Sequence, residues 1–189
     1  PRHQVRLDQR SLAHERRPQR RTRLGQRVRK RGVGHARIRY GAVRVAFVLQ
    51  DLQLSGGVGV VLAHAARLRT DHAIEVAIVL AGDDEHAVWP YPELKELPVL
   101  PLSQARSQEW DVGIATWWRT TAVVFHLSCR RYAYFIQALE DSLYTPAEPE
   151  RVAAAMTTAL PVRFITEAHW IAELLEMLQP GNPAIVVPN

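Results

Sequence analysis

The chain is 189 residues long, 47% hydrophobic and 23% charged, with a formal net charge of +5. That composition excludes a collagen-like repeat and a wholly disordered chain, and the length suits about one domain. The single cysteine, Cys129, excludes an internal disulfide framework.

The charge is unevenly placed. Residues 1–40 carry 14 basic side chains and two acidic ones, Asp8 and Glu15, a net of +12. Residues 41–189 carry 10 and 17, a net of −7. The basic character therefore belongs to a tail and not to a domain. In that tail Leu7, Leu12, Leu24, Val28, Val33 and Ile38 are scattered without period. Such a segment buries too little apolar surface to offset the entropy of ordering, and a disordered tail is expected. Three readings of it stay open. It binds nucleic acid or an anionic membrane through Arg16–Arg17, Arg20, Arg21 and Arg23, and the run from Arg27 to Arg31. It is a solvated extension without a partner. Or it lies outside the native coding sequence, since 13 of its 14 bases are Arg. The tail lacks the apolar stretch of about 7–15 residues that marks a signal peptide. No run of about 18 apolar residues follows it. The expected location is cytoplasmic, with peripheral contact at the inner face of the membrane as the form of membrane association.

From Val43 the pattern changes. Val43–Leu49 (VRVAFVL) reads as a buried parallel strand. Gln50–Gly57 is a polar loop ending in Gly-Gly. Val58–Leu68 places Val58, Val61, Leu62, Ala65, Ala66 and Leu68 on one helical face. Ile74–Leu80 is a second strand, completing a βαβ unit. Pro98–Leu102 is a short third strand and Ser103–Glu109 a helix or turn. Asp111–Thr116 is a strand, Trp117–Leu127 a helix and Arg131–Gln137 a strand. Glu148–Ala159 is a helix, Pro161–Thr166 a strand, Ala168–Leu178 a helix and Ala184–Val187 a last strand. This alternation predicts an α/β three-layer, Rossmann-like sandwich with a mainly parallel sheet. Ligands of such sheets bind beyond the carboxyl ends of the strands. The search thus narrows to the loops after Leu49, Leu80, Thr116, Gln137 and Thr166.

Ser55, Gly56 and Gly57 stand between the first strand and first helix. Glycine there lets backbone approach a ligand, and a helix start offers free N–H groups. A tight turn at a helix start explains them equally well. The spacing is not that of a dinucleotide fingerprint or a P-loop. Gln137, Glu140 and Asp141 follow a strand end, where carboxylates orient hydroxyls or act as a base; a solvated acidic loop is the competing reading. Thr116 and Trp117 also follow a strand, and the tandem Trp117–Trp118 either stacks on a sugar or seats a helix. His64 and His126 lie within helices and read first as packed residues and not ligands, and His169, near the start of the last main helix, is no stronger a candidate. No HExxH or CxxC spacing marks a metal site, and no GxSxG elbow marks a serine hydrolase. Cys129 reads as a small buried residue.

Five segments in order, over residues 43–189, resemble the N-terminal domain of bacterial retaining glycosyltransferases of family 4, with the GT-B fold. They are RVAFVLQDLQLSGGVGVVLAHAARL (44–68), DVGIATWWRTTAVV (111–124), YAYFIQALEDSLYT (132–145), ITEAHWIAELL (165–175) and AIVVPN (184–189). The resemblance implies one half of a GT-B fold, with the second, donor-binding domain absent from this chain. It implies a contribution to sugar transfer from a nucleotide-activated donor to an acceptor, with retention, and no activity by this half alone. Ser55, Gly56 and Gly57 would form the donor phosphate or sugar loop. Gln137, Glu140, Asp141, Thr116 and Trp117 would lie on the acceptor side. No metal or other cofactor is implied beyond the nucleotide-sugar co-substrate. The implied partners are that nucleotide sugar and a glycan, lipid-linked or small-molecule acceptor, with nucleic acid ranked below them. The alternatives are a non-catalytic nucleotide- or sugar-binding module, or binding through the basic tail.

Overall fold

A computed structural model describes residues 42–82 and 88–189. The tail of residues 1–40 lies outside the described residues. Seven strands form one sheet: β1 (Arg44–Leu49), β2 (Glu75–Leu80), β3 (Val99–Pro101), β4 (Glu109–Ala115), β5 (Ser128–Ile136), β6 (Arg163–Thr166) and β7 (Ile185–Val186). Their order is β3-β2-β1-β4-β5-β6-β7, and every pairing is parallel. The fold is a three-layer, Rossmann-like α/β sandwich.

Period-two alternation sorts the strand side chains between two cores. Ala46, Val48, Ala77, Val79, Tyr134, Ile136 and Phe164 face one side. Val45, Phe47, Leu49, Val76, Ile78, Ala133 and Phe135 face the other. Helix α1 (Gly56–His72) covers the second face with Val61, Leu62 and Ala65. Helices α3 (Thr120–Val124) and α5 (His169–Leu178) cover the first with Val124, Ile171 and Leu175. The opposite faces follow from direction. The sheet grows one way from β1 through β2 and the other way through β4 and β5, and crossovers keep a right hand. Each large aliphatic side chain taken fully out of water contributes about 1.5–3 kcal/mol.

Several boundaries differ from the sequence reading. Helix α1 starts at Gly56, two residues before Val58, so both glycines lie in its first turn and not in a preceding loop. It also runs past Leu68 to His72. There Ala73 turns left-handed (φ 53°), and the Ile74 N–H bonds the Leu68 carbonyl at 3.1 Å. The helix expected over Trp117–Leu127 forms only over Thr120–Val124. The carbonyls of Trp117 and Trp118 close tighter turns instead, accepting the Thr120 and Thr121 N–H groups at 2.9 and 3.3 Å and their hydroxyls at 2.8 and 2.6 Å. Thr120 Oγ1 accepts the N–H groups of Thr116 and Trp117 at 3.0 and 3.1 Å, and Glu140 takes that of Trp118. The short helix α2 (Leu102–Ala105) ends before β4, which begins at Glu109. Helix α4 covers Pro149–Met156 and tightens into a 3-10 turn over Thr157–Ala159.

Gly113 lets α3 and β5 close on the centre of the sheet. A Cβ there would sit 2.7 Å from Cys129 Sγ and 3.0 Å from a Val124 methyl. Cys129 is half-buried and free, not fully buried as expected, and burial pushes its thiol up to about 11. Gly113→Ala should destabilise the domain by about 1–3 kcal/mol through overpacking. The shift in urea midpoint measures this; a midpoint unchanged from wild type would show the sheet centre to be looser than its packing implies.

Candidate functional site

The strand order reverses direction between β1 and β4, and the carboxyl ends of strands at such a point splay to leave a crevice. A cleft of about 750 Å³ opens there. Its walls come from the loop Gln50–Ser55 after β1, the first turn of α1, Thr116–Trp117 after β4, Gln137–Glu140 after β5, and Glu167 after β6.

Seven residues singled out from sequence line it together: Ser55, Gly56, Gly57, Thr116, Trp117, Gln137 and Glu140. Asp141 does not. Its backbone carbonyl closes the 3-10 turn Glu140–Leu143, accepting the Tyr144 N–H at 3.3 Å. The histidines are also elsewhere. His126 and His169 are exposed, and His64 Nε2 lies 3.2 Å from Asn189 Oδ1 with its ring edge-on to Phe135.

Each wall has a local cause. Ser55 is the N-cap residue of α1, yet its side chain makes no capping bond, and the first turn holds no acid. The helical ladder starts with the Gly59 N–H on the Ser55 carbonyl at 3.1 Å. The amides of Gly56, Gly57 and Val58 precede that ladder and leave positive potential at this end of the cleft. Gln137 braces the turn: its Nε2 donates to the Gly57 carbonyl at 3.2 Å. A Cβ on Gly57 would meet that amide at 3.4 Å, whereas a Cβ on Gly56 meets nothing within 4 Å. Thr116 ties β4 to β1, donating its hydroxyl to the Val48 carbonyl at 2.8 Å just where the strand pairing ends.

Glu140 is buried at 7% exposure, although an exposed acidic loop was one reading of its sequence. Its Oε2 accepts the Trp118 N–H at 2.5 Å and the Tyr134 hydroxyl at 2.6 Å. Burial pushes its carboxyl up to about 7, against the lowering effect of both donors. Burial, with the neighbouring Glu140 charge, also holds the Tyr134 phenol well above its ordinary range. The Glu140–Trp118 bond orients the peptide between the two tryptophans. Trp117 lines the cleft, while Trp118 turns away to donate its indole N–H to the Tyr144 hydroxyl at 2.9 Å. Arg119 stacks over the Trp118 ring, 4.8 Å from its centroid.

Sequence reasoning did not single out Asp51 or Glu167, which also line the cleft. Asp51 stands in a D-x-x loop and accepts the Gln53 N–H at 2.9 Å, an Asx-turn that its residue type could have signalled. Glu167 lies in one of the five loops already searched, but an acid beside a Thr carries no distinguishing spacing. Among the described residues, the charged side chains lining the cleft are three carboxylates, Asp51, Glu140 and Glu167, and the cleft also takes in the first turn of α1. Such a site can hold an anionic group at α1 and bind hydroxyls beside Glu140. Among the described residues no group of three His, Cys, Asp or Glu is placed to hold a metal ion, and no helix is long and apolar enough to cross a membrane.

No family model matches the chain, and no curated protein matches it. Among solved structures it is similar to Anabaena Alr3699/HepE in complex with UDP-glucose, with a TM-score of 0.54 and 14% sequence identity. The likeness covers 77% of this chain and 43% of that one, so this chain spans less than half of that protein's length. At that identity the likeness is one of fold.

Proposed function

We propose that this domain is the acceptor-side half of a retaining family 4 glycosyltransferase of GT-B fold. It forms one wall of a site that moves a sugar from a nucleotide-activated donor to an acceptor hydroxyl, and a second domain supplies the donor half. The observation that carries this reading is the cleft at the switch point, which gathers the Gly56–Gly57 helix start, Trp117 and Glu140 around one space. The five sequence segments that resemble the family and the fold shared with a UDP-glucose-bound protein support it.

In this reading Gly56 and Gly57 offer backbone N–H groups to the donor phosphates, where charge develops as the diphosphate leaves. Trp117 packs against a sugar face. Glu140 orients acceptor hydroxyls: a carboxyl poised at about 7 can accept a hydrogen bond when ionised and donate one when protonated. The acceptor oxygen forms the new bond to the anomeric carbon, the nucleoside diphosphate departs with the pair of the bond that breaks, and the acceptor's hydroxyl proton passes to the departing diphosphate oxygen.

The test is an NMR titration of this chain with UDP-glucose. The expected result is weak binding, Kd about 1 mM, with shifts concentrated at the Gly56 and Gly57 amides, the Gln137 side chain and the Trp117 indole. Shifts confined to other surfaces, or none at high ligand concentration, would exclude the cleft as a nucleotide-sugar wall.

A further inference from the structure

We propose that Tyr91 is a positioning residue of this cleft. From outside the lining, its hydroxyl fixes the Gln53–Ser55 wall and the entry into α1, and so sets how tightly the cleft holds a nucleotide sugar. The inference rests on the reading above.

The wall needs a brace because its own chemistry provides little. The loop after β1 has no ladder bonds, and Gln53, Leu54 and Ser55 are all exposed. The Ser55 side chain leaves the helix start uncapped. Within the loop one bond, from the Gln53 N–H to Asp51, closes the Asx-turn. Among the described residues, the remaining support comes from the segment that follows β2. The Trp89 N–H donates to the Leu52 carbonyl at 2.9 Å. The Tyr91 hydroxyl accepts the Ser55 N–H at 2.9 Å. The same hydroxyl lies 2.9 Å from the Gln53 carbonyl and 3.1 Å from the Ser55 carbonyl, which share its one proton. Among the described residues, Tyr91 is the one side chain that bonds the Ser55 backbone.

The ring is itself held in place. It packs with the core layer beneath α1, alongside Leu94. It reaches the helix beside Gly59, where a Cβ would stand in ordinary contact at 3.7 Å. The ring is thus anchored to α1 while the hydroxyl is aimed at the loop. Both sides of the glycine-bearing turn are referred to one rigid side chain. Tyr91 is not among the residues that line the cleft, so losing its hydroxyl removes no lining group.

Tyr91→Phe keeps the ring and deletes the hydroxyl. The expected result is about tenfold weaker UDP-glucose binding, corresponding to one or two lost wall bonds, with only a small fall in the urea midpoint and a protein that is still fully folded. The amide order parameters of Leu54, Ser55 and Gly56 should fall from about 0.85 toward 0.6. Wild-type affinity in the variant overturns the proposal. If wild-type protein binds no UDP-glucose, the functional reading fails by itself. The order parameters then decide the Tyr91 claim: unchanged values overturn it, and a fall confined to the wall upholds it.

Discussion

Glu140→Gln should stabilise the domain at pH 8 by about 3 kcal/mol and remove most of its loss of stability between pH 4.5 and 7. The carboxyl stands at about 7 in the folded protein against an ordinary 4.5, with burial as the leading cause. Below pH 4.5 it is protonated in both the folded and unfolded chain, and its contribution is full. As pH rises from 4.5 the unfolded chain gives up its proton first, so the folded state loses ground until about pH 7, after which the loss is constant. Glutamine has no proton to lose, and its carbonyl can still accept from Trp118 and Tyr134. Urea midpoints at pH 5 and pH 8 for both proteins measure the effect; parallel pH profiles would mean that Glu140 is better solvated than its burial implies. Such a cost at a cleft agrees with the acceptor-side role proposed for Glu140. In an enzyme that includes the donor half, the same substitution should reduce acceptor use more than donor hydrolysis. Equal losses would remove Glu140 from the acceptor side.

Gly57→Val should cut nucleotide-sugar binding and transfer by roughly 100-fold while the protein stays folded, since displacements of about 1 Å at a site can cost that much. The first added carbon already meets Gln137 Nε2 at 3.4 Å, and the γ-methyl groups extend further. Gln137 must then leave the Gly57 carbonyl, and the brace between β5 and α1 is lost. Gly56→Ala is the control. Its Cβ meets no protein atom within 4 Å, so its thermal melt should match wild type and show that the turn itself tolerates a side chain. A titration of each variant with UDP-glucose, alongside its thermal melt, separates a blocked site from a misfolded one. Normal binding by folded Gly57→Val would place the ligand away from this turn.

Much of the architecture was legible from local pattern. Continuous apolar runs such as Val45–Leu49 and Val76–Val79 are buried on both faces, as central parallel strands must be. The alternation of strands with helices implied the sandwich, and strand polarity implied which loops could meet. Boundaries were less legible where side chains compete with backbone. The Trp117–Leu127 pattern is helical in periodicity, but the carbonyls of Trp117 and Trp118 are taken by the N–H groups and hydroxyls of Thr120 and Thr121 in tighter turns, which delays the helix to Thr120. Gly56 and Gly57 read as loop because glycine is a poor helix former, yet N-terminal turns tolerate it since those amides need no helical partner. In the site itself, residue type drew attention to Glu140 but not to its burial. That depends on Tyr134 within β5 and on Trp118 in the loop after β4, 22 positions away in sequence.

By itself the sequence determined the layers, the parallel direction of the sheet and the loops that bear the chemistry, because apolar periodicity and turn residues act within a few positions of one another. Only the tertiary structure decided which of those loops close on one cleft. It left Asp141 off the cleft while bringing Asp51 and Glu167 into it, turned Trp117 inward and Trp118 outward, and set Tyr91 behind the wall. These outcomes rest on contacts between residues 22 to 80 positions apart, whose desolvation and hydrogen bonding exist only once the sheet has assembled.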